Sequence, residues 1–150
     1  MRLSYGMILY AVCGIPGSGK TTYSRQLAKE LGAKLYCYDE RPDANHLGKT
    51  KNSHIEMWRD IFTDLNNGED VICDDLHTTK RERVSILHAV NDSNCKKVLI
   101  VMETPLDVCL VRNANRINRL PDSVVKAIHR KYEQPTFSEG WDEIIRYQTT

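Results

Sequence analysis

The period of the hydrophobic positions changes several times along this chain. Residues 7–13 are a continuous apolar run, Met7-Ile8-Leu9-Tyr10-Ala11-Val12-Cys13, long enough for a strand buried on both faces. Tyr23, Leu27 and Leu31 then fall four apart, which predicts a helix over 20–31, stopped by Gly32. Lys34 to Tyr38 reads as a short second strand that ends at Asp39-Glu40-Arg41-Pro42. Residues 42–53 are polar and carry Pro, Gly, two Asn and two Lys, so they read as a loop. From Ile55 onward, Ile55, Trp58, Ile61, Phe62 and Leu65 recur at helical spacing until Asn66-Asn67-Gly68 turns the chain. Val71 to Asp74 is a third strand finishing in carboxylates. Thr79 and Glu82 form a capping box for a helix to about Val90, with Val84, Leu87 and Val90 inward.

Lys97 to Met102 is the fourth strand. Thr104 as cap and Pro105 at the first helical position open the next helix, which carries Arg112 and Arg116. Pro121 starts another, with Val124, Val125, Ile128 and Tyr132 as its apolar face. Residues 134–137 are extended, and Glu143 to Tyr147 form the last strand. Strands that alternate with helices and read as unbroken apolar runs predict a mostly parallel five-stranded sheet covered on both faces. The expected fold is therefore a three-layer α/β/α domain over 1–150, with a small helical lid at about 112–120. Ligands of such sheets sit beyond the carboxyl ends of the strands. Asp39, Asp74 and Glu103 all fall at such ends, far apart in sequence but on one expected rim.

Between the first strand and the first helix stands Gly14-Ile15-Pro16-Gly17-Ser18-Gly19-Lys20-Thr21, followed by Thr22. It fits G-x-x-x-x-G-K-[ST], the phosphate-binding loop, in the strand–loop–helix context that gives the motif meaning. Glycines let the backbone curl so that successive N–H groups point at an anion, and the helix adds its positive end. Lys20 can reach the β- and γ-phosphates, and Thr21 can offer its hydroxyl to Mg²⁺.

Composition narrows little beyond this. Hydrophobic content of 41% and charged content of 27% are ordinary for a soluble domain. A net charge of +1 argues against a globally basic nucleic-acid binder and leaves room for a local basic groove. No small-residue cleavage site follows the N-terminus, and no apolar run approaches the roughly 20 residues of a membrane span. A cytoplasmic location with no membrane partner is therefore expected. The five cysteines, an odd count without metal spacing, read as buried small hydrophobes in a reducing compartment. The histidines read as surface or packing residues.

A phosphate loop specifies a nucleotide, not a reaction. No Asn-Lys-x-Asp signature or Asp-x-x-Gly switch follows a strand, which sets a GTPase aside. The chain is too short for the subdomains of motor ATPases. A small kinase-type P-loop domain remains. Phosphoryl transfer needs an acceptor in line, a placed metal and positive charge over the transferring group. Lys20 and Mg²⁺ meet the charge requirement. Asp39, just past the second strand, can accept the proton of an attacking hydroxyl. Arg112, Arg116 and Arg119, spaced four and three apart, can close as a lid, their planar forks suiting phosphate oxygens. Asn113, Asn115 and Asn118 lower helix propensity there and suggest mobility. Asp74, rather than Asp75, is the expected metal-side acid because it directly follows the buried strand. Trp58 and Phe62 read as core more than as a base-stacking platform. The basic set Lys49, Lys51, Lys80, Arg81 and Arg83 bears on the acceptor. If it lines the acceptor side, a polyanionic strand fits; if it scatters into solvent, a small molecule fits better.

The motifs together resemble the kinase domain of the bacteriophage polynucleotide 5′-kinase family, within the small P-loop kinases. The opening loop is similar over Gly14 to Thr22, and Asp39 occupies the place of the family's general-base aspartate. Val71-Ile72-Cys73-Asp74-Asp75 with Lys80-Arg81-Glu82-Arg83 is similar to its third strand and following helix. Val111-Arg112-Asn113-Ala114-Asn115-Arg116 is similar to its lid, and Tyr132 to Thr136 with Glu139 to Ile144 to its closing segment. The resemblance implies catalysis by Lys20, Asp39 and Arg116. It implies nucleotide contacts from Gly14, Pro16, Gly17, Ser18, Gly19, Lys20, Thr21, Thr22, Arg112 and Arg116, and metal contacts from Thr21 and Asp74. The family's acceptor-phosphate arginine comes three residues after its base. Here that position is Pro42, and Arg41 beside it is the candidate. ATP, with GTP as an alternative, and Mg²⁺ are the implied cofactors, and the 5′-hydroxyl end of DNA or RNA the implied acceptor. No fused phosphatase or ligase domain is expected. Kinases of metabolites, nucleosides or nucleotide-sugars share the pattern more distantly. A slow ATP-binding switch that signals to a partner is the rival of another class. Oligomeric state is left open.

Overall fold

Five apolar runs become the five strands of a single sheet in a computed structural model that describes residues 7–40 and 51–148, with side chains from 53 onward in the second stretch. The strands are β1 (Ile8–Cys13), β2 (Lys34–Cys37), β3 (Val71–Asp74), β4 (Lys96–Glu103) and β5 (Glu143–Gln148). Their order is β2-β3-β1-β4-β5, and every neighbouring pair is parallel. The expectation of a mostly parallel sheet thus becomes a wholly parallel one. Central β1 alternates between two cores. Leu9, Ala11 and Cys13 join one cluster, Val12 the other.

The helices are α1 (Lys20–Leu31), α2 (Lys51–Asn66), α3 (Lys80–Ala89), α4 (Leu106–Ala114) and α5 (Asp122–Arg130). Tyr23, Leu27 and Ala28 of α1 cover the face that holds Val12, Ile72 and Ile100. Met57, Ile61 and Leu65 of α2, with Ile86 and Leu87 of α3, cover the opposite face. A third cluster of Ile15, Cys109 and Val125 ties α4 and α5 to the loop after β1. This is the three-layer α/β/α arrangement expected.

Several helix faces are rotated from their expected phase. Ile55, Val84 and Val124 are exposed at 43%, 37% and 40%. In α2 the buried stripe runs Ser53, Met57, Ile61, Leu65, four apart, so Ile55 lies off it. In α3 the stripe includes Arg83, fully buried and bound to Glu139 through Nε (2.8 Å) and Nη2 (3.0 Å). A paired charge can occupy a core position, and Val84 is turned outward as a result. Tyr132 lies past the end of α5 and packs against the main core instead. Helix α2 begins at Lys51, earlier than the loop expected over 42–53 allowed. Arg41 and Lys49 lie outside the described residues, as does most of that loop, and Lys51 is described only in its backbone.

Candidate functional site

The loop between β1 and α1 is a backbone cradle. Gly14 N–H donates to Leu76 O (3.0 Å) and Ser18 N–H to Ile15 O (3.1 Å), which anchors both limbs. Gly17 and Gly19 adopt φ of +85° and +92°, the left-handed conformation that turns successive amides inward. Gly17 has no room for a side chain, since a Cβ there would stand 2.3 Å from Cys109 O of α4. The Ser18 carbonyl is held from outside by the Thr104 hydroxyl (2.8 Å) and by Arg112 Nη1 (3.5 Å). Ser18 Oγ is buried without a partner among the described residues. Gly14, Pro16 and Ser18 are buried and shape the loop. Gly17, Gly19, Lys20, Thr21 and Thr22 line the cavity in front of it.

That cavity, of about 380 Å³, is also lined by Asp39, Glu40, Arg112, Arg116, Ile117 and Asn118. Asp39 stands on the one-turn helix Tyr38–Glu40 that follows β2 and is exposed. The glycine-rich loop, Lys20, Asp39 and the two lid arginines therefore share one cavity on the carboxyl rim. Glu40 is bound by Arg25 at its edge. Cys37 also lines it. Burial, then the Asp74 carboxylate beside it, pushes its thiol up to about 12, so it is inert at neutral pH. All five cysteines are free thiols.

Asp74 lies in register between Val12 of β1 and Cys37 of β2. It is 3% exposed, and its Oδ2 accepts a 2.8 Å bond from Thr21 Oγ1. A hydroxyl and a carboxylate that already meet form a hard oxygen pair suited to Mg²⁺, whose other positions water and phosphate oxygens usually fill. Among the described residues no cluster of three His, Cys, Asp or Glu could hold a metal alone. Asp75 is turned away from this pair. Its Oδ1 accepts from Leu76 N–H (2.8 Å), and its Oδ2 lies 2.7 Å from His54 Nε2.

The segment expected as a lid, 112–120, differs from its expected form. Helix α4 starts at Leu106, with Pro105 as its cap residue. Thr104 is drawn off to the phosphate loop instead of capping. The helix ends at Ala114, so Arg116 stands on the following loop and not one turn above Arg112. Asn113 is no sign of mobility. Fully buried, it donates through Nδ2 to Leu120 O (2.8 Å) and accepts from Leu120 N–H (3.2 Å), pinning both ends of residues 114–119. Of the basic set, Arg83 is structural, Lys80 is exposed, and Arg81 lines a second cavity between α2 and α3. Trp58 packs against the core, as expected, and also lines that cavity together with His54, which the sequence had left among surface and packing residues. His77 is a packing residue. It is buried at φ +51°, with Nδ1 2.8 Å from Val12 O. Thr104 and His54 carry no local sequence signal for these roles, because each acts on a residue distant in the chain.

A family profile described as "Chromatin associated protein KTI12" matches residues 7–145. The chain belongs to the KTI12 family. The KTI12 match keeps the small P-loop kinase part of the sequence resemblance and replaces its bacteriophage polynucleotide kinase branch. The chain is 27% identical over 149 residues to an L-seryl-tRNA(Sec) kinase of Methanococcus maripaludis, covering 90% of this chain and 56% of that protein. It is likewise 27% identical over 154 residues to Protein kti12 of Schizosaccharomyces pombe, covering 91% and 55%. It therefore spans about half the length of these relatives. The crystal structure of Chaetomium thermophilum Kti12 in complex with ADP-AlF3 superposes with a TM-score of 0.71 at 17% identity, over 93% of this chain and 88% of that one. The KTI12-family chain thus has the kinase-type P-loop fold. Among its described residues no helix is long and apolar enough to cross a membrane.

Proposed function

We propose that this chain is an ATP-dependent phosphotransferase that moves the γ-phosphoryl group to a hydroxyl at a nucleic-acid end, with RNA preferred to DNA and the 5′-hydroxyl as the first acceptor to test. The observation that carries the reading is the single cavity in which Lys20, Asp39, Arg112 and Arg116 meet the phosphate loop. A protein that only held nucleotide would need the cradle but no carboxylate facing it. The preference for RNA is supported by the seryl-tRNA(Sec) kinase relative.

In this reading the loop amides and Lys20 hold the β- and γ-phosphates, and Thr21 and Asp74 are the residues that would hold Mg²⁺. When bound, the ion neutralises charge on the phosphate oxygens. Asp39 accepts the proton of the acceptor hydroxyl as its oxygen bonds to phosphorus and the bond to ADP breaks. Arg116, on the pinned lid loop, stabilises the charge on the transferring group, and Arg112 braces the loop through Ser18. Arg41 is assigned the acceptor phosphate.

The test is transfer of labelled γ-phosphate in the presence of Mg²⁺, with tRNA, 5′-hydroxyl RNA, 5′-hydroxyl DNA, nucleosides and sugars offered side by side. Asp39→Asn is expected to remove transfer while ATP affinity stays within about twofold. A chain that binds ATP but labels none of these acceptors would be a nucleotide switch, and the proposal would fall.

A further inference from the structure

We propose that the cavity of about 330 Å³ between α2 and α3 receives the terminal base of the acceptor strand, splayed out of its stack, with Arg81 on the adjoining phosphate. The proposal rests on the kinase reading above and supplies the acceptor half that the phosphate-loop cavity lacks. Position comes first. Asp75 borders the cavity, and the next residue back, Asp74, bonds Thr21 of the phosphate-loop helix. Each cavity thus has a wall at the carboxyl end of β3: Thr21, bonded to Asp74, lines the first, and Asp75 lines the second.

The walls suit a flat ring. The His54 imidazole stacks on Tyr38, with centroids 3.8 Å apart and planes 7° from parallel. The Trp58 indole stands 5.5 Å from His54 at 43°. His54 is fixed at its other side by Asp75 Oδ2, 2.7 Å from Nε2. Ile55, His77, Arg81, Glu82 and Ser85 complete the lining. Aromatic walls of this kind hold single unstacked bases with little preference among them. Trp58 lies off the buried stripe of α2, packs only partly against the core and lines the cavity, and its Nε1 is buried with no partner among the described residues, a polar atom that packing alone does not explain.

Charge at the mouth separates a strand from a small neutral acceptor. Arg81 lines the cavity, is exposed, and makes no ion pair among the described residues. A guanidinium there matches the phosphate linking a terminal nucleotide to the next. The cavity's other acidic group, Glu82, is engaged by the Thr79 hydroxyl (2.8 Å).

The test reads binding apart from turnover. A labelled single-stranded RNA trinucleotide with hydroxyls at both ends is titrated by fluorescence anisotropy in the presence of a non-hydrolysable ATP analogue. Removing one terminal base, at either end in turn, should weaken binding roughly tenfold at the end that docks. Trp58→Leu should weaken the intact strand to a similar degree and leave the abasic strand unchanged. Arg81→Ala should weaken both strands and reduce the salt dependence of binding. Ser85→Phe, which fills the cavity from α3, replaces Trp58→Leu should that variant fail to fold. Equal affinity for intact and abasic strands, or wild-type affinity in Ser85→Phe and Arg81→Ala, would overturn the pocket. Base-dependent binding without phosphate transfer keeps the pocket and sinks the kinase reading, and transfer with unaltered affinities does the reverse.

Discussion

Gly17 is held on two counts. It needs a positive φ, and it lies against the backbone of α4, where a methyl group would meet Cys109 O at 2.3 Å. Gly17→Ala must therefore move either the loop or the helix that carries the lid. It is expected to lose at least about tenfold in nucleotide affinity and on the order of 1–3 kcal/mol of stability, read by calorimetric titration with ADP and by thermal unfolding. Asp75 supplies a second prediction. Burial alone would raise its carboxyl, but the His54 hydrogen bond, the charges of His77 and His54 and the Leu76 amide outweigh burial and lower it from 3.8 to about 2. Because the folded value is depressed, ionised Asp75 stabilises the fold above about pH 4, and that share is lost as pH falls toward 2. The contribution is on the order of 2 kcal/mol, and Asp75→Asn should flatten that part of the acid-unfolding curve. The two residues differ in how legible they were. Gly17 belongs to a motif whose spacing is its meaning, whereas Asp75 gains its partner only when α2 brings His54 across to β3.

Elements were legible where both their faces are buried. The strands β1, β3 and β4 stand out as apolar runs because each lies between two layers of helix. Helices are legible as helices, but in α3 the apolar phase misleads because a polar side chain sits in the buried stripe. Arg83 is that side chain, and apolar periodicity counts an arginine as surface. Its guanidinium lies fully buried on Glu139, which also accepts from Trp141 Nε1 (3.1 Å), and it donates to His77 O (3.0 Å). This joins α3 to the segment before β5. Arg83→Met would leave the Glu139 carboxylate buried without its charge partner, at a cost of about 3–5 kcal/mol. Adding Glu139→Gln should recover much of that loss. Urea unfolding of both variants checks it, and a single-variant loss under 1 kcal/mol would demote the pair to a bystander.

At the scale of the whole molecule, the parallel sheet gathers at one rim residues that the chain supplies from four separate segments. The donor side was legible because the phosphate loop, the residue after β2 and the end of β3 are all strand termini, and topology alone sends strand termini to that rim. The cavity proposed for the acceptor was not, because it lies between helix faces whose pairing no local pattern records. This division bears on how the charges act. Lys20 comes from the first turn of α1, while Arg116 comes from the loop that Asn113 pins after α4. Neither makes an ion pair among the described residues that folding would lose, so neither should matter to stability. Both line the phosphate-loop cavity, and in the proposed reaction both act on the same developing charge, so each should matter to rate. Lys20→Ala and Arg116→Ala are each expected to lower kcat by about 10²–10³, with unfolding midpoints unchanged. The double variant should fall short of the product of the two losses, because groups that serve one transition state act as a unit. Steady-state kinetics beside thermal unfolding separates the outcomes. Unaltered kcat in both single variants would detach the lid and the loop lysine from the chemistry and leave the rim a place where nucleotide is only held.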